Sequence, residues 1–472
     1  FLSIYLIFIA MIKNRKIINY IIPVPFLFNF LLNLLDNQFT INHLNKNSFI
    51  LSFVCFIFLV NTGKLISSSL NISNTSLSIA ILFMSYFVIN IVTLFFDKNY
   101  FTFDSYFLSV SFFWIAFFLY NFKKLRVYNF IISIISLSII YFFNNDFQSL
   151  KLGHKELSTD TNFFWTPMSK LIYENDLFYA LENNIITGYG LLINYIHALN
   201  FKIFFNHESF TYIPVITNIF FFLGLYFIYE LRFETYIKLS ALLIYVSILL
   251  NSDWLSYLFF NSSMGEGALN FLFSVFFVSV FTPKFAMKEA PAEKTKYLLV
   301  FICGFLYFLK PFASYLIIIF IVILFAFKKD ILSIFIGLIG LIINYVNYSF
   351  LLSENTQDGY INSTEISGIS SFTNLYFKNI NLILKNFYQL DKVISLFVFI
   401  LFLLSFLNLW KSQYITSSMC VILLNVLFVF YLYISIWQDK ELESAYRYIL
   451  SFLNLFFFLY IDQIKKVFSN KK

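Results

Sequence analysis

Long apolar runs alternate with short polar connections along almost the whole chain. Most runs have roughly 15–22 residues, a length that suits an α-helix crossing a bilayer. We therefore predict an all-α, polytopic transmembrane protein with about 14–15 spanning helices. The predicted spans lie near residues 1–12, 17–35, 48–61, 77–97, 104–121, 128–144, 213–229, 232–250, 263–281, 296–309, 312–327, 331–350, 392–409, 415–437 and 447–463.

The charges in the connections predict which side of the membrane each one faces. Basic residues in short loops favour the cytoplasmic side. The basic connections include Lys64 with the Ser/Asn-rich turn that follows it, the loops 123–126, 284–296 and 328–330, and the tail 465–472. With these inside, the two longest polar segments, 144–212 and 351–391, lie outside.

The segment 144–212 is the longest polar interruption, and we expect it to contain the active site. Its first half is rich in ionisable residues, which belong in water or at the membrane surface rather than in hydrocarbon. Part of it, 182–205, carries a polar stripe at helical spacing, which predicts a helix lying in the membrane interface. The alternative is a spanning helix whose polar side faces other helices. The stripe consists of Asn183, Thr187, Gly190, Asn194 and His197.

Composition supports the membrane interpretation and narrows the possible functions. The 472 residues are 60% hydrophobic and 12% charged, with a mean hydropathy of +0.78, which excludes an ordinary soluble enzyme. The net charge of +7 lies in the loops and does not imply nucleic-acid binding. The three cysteines lie far apart in apolar runs and are expected to be packing residues. Because the chain begins at Phe1 rather than Met, we expect the helix count to be a minimum.

Four ionisable residues stand at or beside the predicted outer ends of helices. They are Asp160, Glu266, Lys310 and Arg447. A charge near hydrocarbon costs on the order of 2.5–3.5 kcal/mol on the lenient insertion scale, so such a group usually has a partner or a function. The predicted topology places all four on the same side.

The residues around these positions resemble the GT-C membrane glycosyltransferases related to protein mannosyltransferases. In that family an acidic pair, a Trp, a Tyr-Pro-Pro, a Leu-x-Lys-Pro and an Arg-Tyr follow one another in this order. The corresponding pieces here are Asp160-Thr-Asn-Phe-Phe-Trp165, Gly188-Tyr189-Gly190, Leu309-Lys310-Pro311 and Ser444-Ala-Tyr-Arg447-Tyr448. Thr161 replaces the second acid, and Gly-Tyr-Gly replaces Tyr-Pro-Pro. The resemblance covers 128–472, preceded by extra helices in 1–127.

The resemblance implies an inverting glycosyltransferase of the outer face of a bacterial cell membrane. Its donor would be a polyprenyl-phosphate-linked sugar, its acceptor a glycan, a lipid or a protein, and its surroundings membrane lipids. No cofactor is expected, and a divalent metal is left open. The histidines lack the spacing of a zinc motif.

The implied roles divide among six residues, five of which also have a plainer alternative. Asp160 would be the general base, or else a solvated loop acid. Lys310 and Arg447 would bind the donor phosphate, or else reach lipid headgroups. Glu266 would orient the acceptor or favour the helix dipole, and Trp165 and Tyr189 would contact substrate, although a Trp also anchors at interfaces.

Two other functions remain open from the sequence. An O-antigen polymerase or ligase would share the lipid-linked donor, but would be favoured by arginines in a long outer loop, and none precedes Arg447 in the predicted outer loops. A lipid-linked sugar flippase or other transporter would be favoured by charges within spans and by repeated halves.

Overall fold

The computed structural model describes residues 46–70, 72, 74–94, 103–121, 126–148, 166–174, 193–194, 196–198, 213–251, 265–281, 293–309, 313–353, 416, 418–424, 427 and 453–469. The regular structure in these ranges is helical throughout, with no strand among them. The chain is therefore all-α as far as it is described, in agreement with the sequence.

Twelve α-helices have defined bounds in the described ranges. They are α1 (Lys46–Leu70), α2 (Thr75–Leu94), α3 (Phe103–Tyr120), α4 (Val127–Gln148), α5 (Thr166–Glu174), α6 (Ile213–Glu230), α7 (Thr235–Asn251), α8 (Glu266–Phe281), α9 (Glu293–Gly304), α10 (Ala313–Lys328), α11 (Ile331–Ser353) and α12 (Leu453–Ser469). A 3-10 turn, Phe305–Phe308, extends α9.

Eleven of these helices coincide with predicted spans, and α5 is an additional helix inside the predicted outer loop. The predicted span 48–61 ends too early, because α1 continues through Lys64 to Leu70 and the connection to α2 begins after it. Leu65 and Ile66 are buried there, so packing extends the helix beyond the charged residue. The predicted spans 1–12, 17–35 and 392–409 lie outside the described residues, and 415–437 is described only in part.

By length and apolar composition, one described helical segment suffices to cross a membrane. It is Phe49–Leu70, with 22 residues and a mean hydropathy of 2.1. Shorter apolar segments of 10–17 residues occur in most of the other helices.

Helix α8 lies at the centre of the described bundle. It contacts α2, α6, α9, α10 and α12. Every residue of α8 except Gly267 is buried. Its phenylalanines pack on one another and on α10, where the Phe277 and Phe320 ring centroids are 5.9 Å apart. The centre is thus held by contact of large apolar side chains.

Helices α3, α4 and α11 lie at the periphery, and each exposes a row of large apolar side chains. Helix α4 packs along α1, and α11 packs on α9 and α10. On α4 the exposed residues are Val127, Tyr128, Phe130, Ile131, Ile134, Ile135, Leu137 and Ile139.

Two polar contacts join helix ends that the loop charges place on the cytoplasmic side. Glu230, at the end of α6, accepts hydrogen bonds from the backbone N–H groups of Thr75 and Ser76, and so caps the start of α2. Lys296 of α9 forms an ion pair with Asp330, just before α11. Both contacts agree with the predicted alternation of the loops.

Candidate functional site

The structure describes one of the six predicted site residues, Glu266. Asp160, Trp165, Tyr189, Lys310 and Arg447 lie outside the described residues. The described neighbours of these positions nevertheless define how several site segments are arranged.

Glu266 is the first residue of α8, and it is buried with 2% of its surface exposed. The preceding Gly265 carbonyl accepts the Leu269 N–H at 2.9 Å, so the helix is regular from its first turn. A carboxylate at this position is stabilised by the positive end of the helix dipole. The sequence therefore places an acid where its charge is favoured even though it is screened from solvent.

Three chain segments meet at the start of α8. A methyl group placed on Gly265 would lie 3.6 Å from the Ile193 Cβ and 3.6 Å from the Leu309 carbonyl oxygen. Leu309 immediately precedes Lys310. The structure thus brings the beginning of α8, the end of the α9 turn and a piece of the predicted outer loop to one place.

The loop piece 193–198 is enclosed at each of its described positions. Ile193, Asn194, Ile196, His197 and Ala198 are all buried. Asn194 and His197, on the polar side of this piece, therefore face protein, as expected for a helix whose polar side faces other helices. The apolar side is buried as well. The prediction of an interfacial helix concerns 182–205 as a whole, most of which is not described.

Helix α5 packs against this loop piece through its buried face. The Asn194 amide lies 2.9 Å from the Met168 sulfur and 3.3 Å from the Ser169 hydroxyl, on a face that also buries Ile172. The opposite face is exposed and carries the Lys170–Glu174 pair at 3.5 Å. Helix α5 is therefore amphipathic, with one side on the protein and a charged side outward.

One turn deeper along α8, Asn270 fixes the beginning of the described part of α12. Its side-chain oxygen accepts the backbone N–H of Asn454 at 2.8 Å, across 184 residues of sequence. Asn270 thereby joins the central helix to α12 at a residue that lies close to Arg447 in the sequence.

A second group of polar atoms surrounds Gly224 of α6 at the same contact. A methyl group there would lie 3.2 Å from both amide atoms of Asn454 and 3.2 Å from the Tyr245 hydroxyl. All three residues are buried. Neither side-chain amide atom of Asn454 has a hydrogen-bond partner among the described residues. A methyl group at this position would be in tight contact with these side chains, which would have to shift by a few tenths of an ångström to admit it.

The sequence analysis missed the contact between Asn270 and Asn454, although Asn270 belongs to a pattern that is visible in the sequence. Glu266, Asn270 and Ser274 recur every four residues and share one face of α8, and all three are buried. A polar stripe in an apolar helix could have been recognised. The contribution of Asn454, far away in sequence, could not.

No group of three or more His, Cys, Asp or Glu side chains within the described ranges is arranged to hold a metal ion. The described part of the site therefore offers one carboxylate and several neutral polar groups. These can accept or donate hydrogen bonds to a polar substrate, and the carboxylate can also take up a proton.

Comparison of the chain with models of protein families, with curated proteins and with solved structures gave no match. The glycosyltransferase resemblance consequently rests on the order and placement of the sequence motifs.

Proposed function

We propose that the chain is a polytopic membrane protein whose peripheral helices face lipid. The supporting observation is the distribution of side chains on α4. Its inward positions, Asn129, Ser133, Ser136 and Ile140, are mostly small or polar, while its outward positions are large and apolar. Water would disfavour such an exposed surface, whereas lipid favours it.

Helix α11 supports the same proposal. It turns Ser333, Gly337 and Gly340 inward and exposes Phe335 and Ile342, among others. Small residues at a contact between two helices allow the close backbone approach that stabilises helix pairs in lipid. Helices α1, α2, α4 and α11 have 25, 20, 22 and 23 residues. At 1.5 Å per residue each is about 30 Å long or more, close to the thickness of the hydrocarbon layer.

Within this membrane protein we propose a GT-C-type glycosyltransferase that uses a polyprenyl-phosphate-linked sugar on the outer face of a bacterial cell membrane. The observation that carries the proposal is the meeting of Gly265–Glu266, Leu309 and Ile193 at one end of the bundle. Three separate sequence regions that were assigned to the site thus come together here: the start of α8 with Glu266, the residue before Lys310, and a piece of the predicted outer loop.

In the proposed reaction, an acceptor hydroxyl attacks the anomeric carbon of the donor sugar with inversion. A new carbon–oxygen bond forms, the bond to the phosphate oxygen breaks, and polyprenyl phosphate leaves with the electron pair. Asp160 takes the acceptor proton. Lys310 and Arg447 stabilise the departing phosphate, because cationic donors are most effective where charge develops.

The remaining residues bind and orient the substrates. Glu266, buried at the helix start, orients the acceptor through hydrogen bonds, and Trp165 and Tyr189 contact the sugar. The acceptor is a glycan, a lipid or a protein. The roles of Asp160, Lys310, Arg447, Trp165 and Tyr189 rest on the sequence alone.

The test uses the full-length protein in lipid nanodiscs with a panel of polyprenyl-phosphate monosaccharides, measuring release of polyprenyl phosphate and transfer of labelled sugar. Asp160→Asn should lower turnover by about 100-fold or more with donor binding nearly unchanged, because the amide keeps the shape but cannot act as a base. Glu266→Gln should raise KM for the acceptor.

Glu174→Gln is the matched control, since Glu174 lies in the same loop and its side chain is 38% exposed. Equal losses in Glu174→Gln and Asp160→Asn would mean that the loop needs only negative charge. Full activity in Asp160→Asn together with loss in Glu266→Gln would assign the base to Glu266. Absence of transfer, with movement of lipid-linked sugar across the bilayer, would replace the transferase by a transporter.

A further inference from the structure

Helices α10 and α11 enclose an apolar groove on the outside of the bundle. Its volume is about 500 Å³, and no polar surface lines it. The lining residues are Ile318, Ile321, Val322, Phe325, Ile331, Ile334 and Leu338. The groove follows α10 over eight residues, from Ile318 to Phe325, and the Cα atoms of these two residues are about 10 Å apart along the helix at 1.5 Å per residue.

One end of the groove is positively charged. Phe325 and Ile331 flank the turn between the two helices, and Lys328 and Lys329 in this turn are exposed. Lys329 has a φ of 49°, the left-handed conformation that separates the end of α10 from the start of α11. Two cations thus stand where the apolar groove reaches the turn.

The acidic residue of the same turn is already neutralised. Asp330 is paired with Lys296 of α9, and it also accepts hydrogen bonds from the N–H and hydroxyl of Ser333 at 3.1 Å and 2.8 Å. The Asp330–Lys296 pair has no net charge, and the exposed side chains of Lys328 and Lys329 stand beside it at the mouth of the groove. The positive-inside rule places this turn at the cytoplasmic surface.

We propose that this groove binds an anionic diacyl phospholipid. One acyl chain lies along α10 and α11, and the headgroup phosphate lies at Lys328 and Lys329. Apolar lining and terminal cations match the two parts of such a lipid, and a zwitterionic lipid would gain less because its headgroup has no net charge. The inference rests on the proposed membrane location but not on the transferase chemistry.

The experiment is native mass spectrometry of the full-length protein released from nanodiscs containing equal amounts of phosphatidylglycerol and phosphatidylcholine. Wild-type protein should retain phosphatidylglycerol preferentially. Lys328→Gln combined with Lys329→Gln should reduce this retention by about five-fold or more, because each lysine near the membrane surface contributes to binding of anionic lipid. Ile334→Trp, which fills the groove and leaves both lysines, should reduce it to a similar extent.

Two controls separate this site from general effects. Arg126→Gln with Arg232→Gln removes two exposed cations from other loops of the same predicted side, and Ile342→Trp adds a ring to an exposed part of α11 outside the groove. Both should retain the lipid as the wild type does. Equal loss in the arginine control would mean nonspecific attraction of anionic lipid and would overturn the proposal, as would full retention in Ile334→Trp.

The membrane location is tested separately by alkaline carbonate extraction of the wild-type protein. If the protein is extracted, both the membrane proposal and the lipid site are wrong. If it remains in the membrane but phosphatidylglycerol retention is the same in all variants, the lipid site alone is wrong.

Discussion

Helices α8 and α4 are both strongly apolar, yet their surroundings are opposite. On α8 the large side chains point in every direction into protein, and 15 of its residues are buried. On α4 the large side chains point away from the protein: Ile135 is 52% exposed, whereas its neighbour Ser136 is only 4% exposed. An apolar sequence therefore identifies a helix of the bundle but not whether other helices cover its large side chains or leave them exposed.

The difference lies in where the polar residues stand. On α4, Asn129, Ser133 and Ser136 form the face that contacts the protein, so apolar residues remain for the outside. On α8, Glu266, Asn270 and Ser274 form a stripe from the helix start inward, and Asn270 bonds to α12. Polar residues are buried at helix contacts in both cases, but those of α8 begin at the candidate site, and one of them, Asn270, bonds to another helix.

The largest effect expected from this comparison is on stability. Phe273→Ala in α8 should destabilise the protein by about 3–5 kcal/mol, because Phe273 is fully buried among protein side chains and its loss leaves a cavity. Its ring is 6.3 Å from that of Phe320. Ile134→Ala on the outer face of α4 should cost little, since the environment can fill the space. Thermal unfolding in detergent measures both, and equal shifts would contradict the central position of α8.

A charge on the outer face of α4 distinguishes lipid from water. Ile135→Arg should reduce membrane insertion by a free energy of about 2.5–3.5 kcal/mol if this face meets hydrocarbon. Tyr120→Arg is the control, because Tyr120 ends α3 and is 90% exposed, so a charge there can reach the headgroups. The measured quantity is the inserted fraction in a translocation assay. Normal insertion of Ile135→Arg would argue that α4 faces water or another protein.

A substitution at the close contact between α9 and α11 tests how tightly the peripheral helix α11 is packed. A methyl group on Gly304 would lie 2.7 Å from the Gly340 carbonyl carbon, a backbone atom that cannot move by itself. Gly304→Ala should therefore destabilise the protein by about 1–3 kcal/mol through overpacking.

Gly337→Ala is the matched control on the same pair of helices. Its added methyl group would meet only the side chains of Ile321 and Val300, at 3.1 Å, and these can adjust. Its unfolding midpoint in detergent should move less than that of Gly304→Ala. The reverse order would mean that α9 and α11 are further apart than the structure shows.

Most helices could be predicted from the sequence because a run of apolar residues is a local property. Their ends were less predictable, as α1 shows, since the burial of Leu65 and Ile66 depends on neighbouring helices. The central position of α8 could not be predicted, because α8 and α4 are both strongly apolar and the side chains that surround each helix come from distant parts of the chain.

The candidate site shows the same limit. Glu266 was found because an acid beside an apolar run is conspicuous in the sequence. Asn454 was not found because its importance comes from Asn270 and Gly224, which are distant in the chain. The packing of Asn194 against Met168 likewise depends on the fold of the loop, and its helical spacing alone left two orientations open.

The smallest expected effect concerns Asp330, the acid just before the peripheral helix α11. Its counterpart in the central helix is Glu266, the buried acid that begins α8. Burial alone would raise the pKa of Asp330, but its hydrogen bonds to Lys296 and Ser333 outweigh burial and hold the pKa below the ordinary value of 3.8. Because the folded state binds the Asp330 proton more weakly than the unfolded state, the carboxylate stabilises the protein above this pH, and the contribution is lost as the pH falls through the folded pKa.

Asp330→Asn, which can still cap α11, should cost about 1 kcal/mol at neutral pH. Unfolding midpoints of both proteins in detergent should therefore begin to converge as the pH falls below 3.8, and they should meet once it has passed the lower, folded pKa. A difference that persisted under acid would indicate that shape rather than charge distinguishes the two side chains, and Lys296→Gln should then leave stability unchanged at neutral pH.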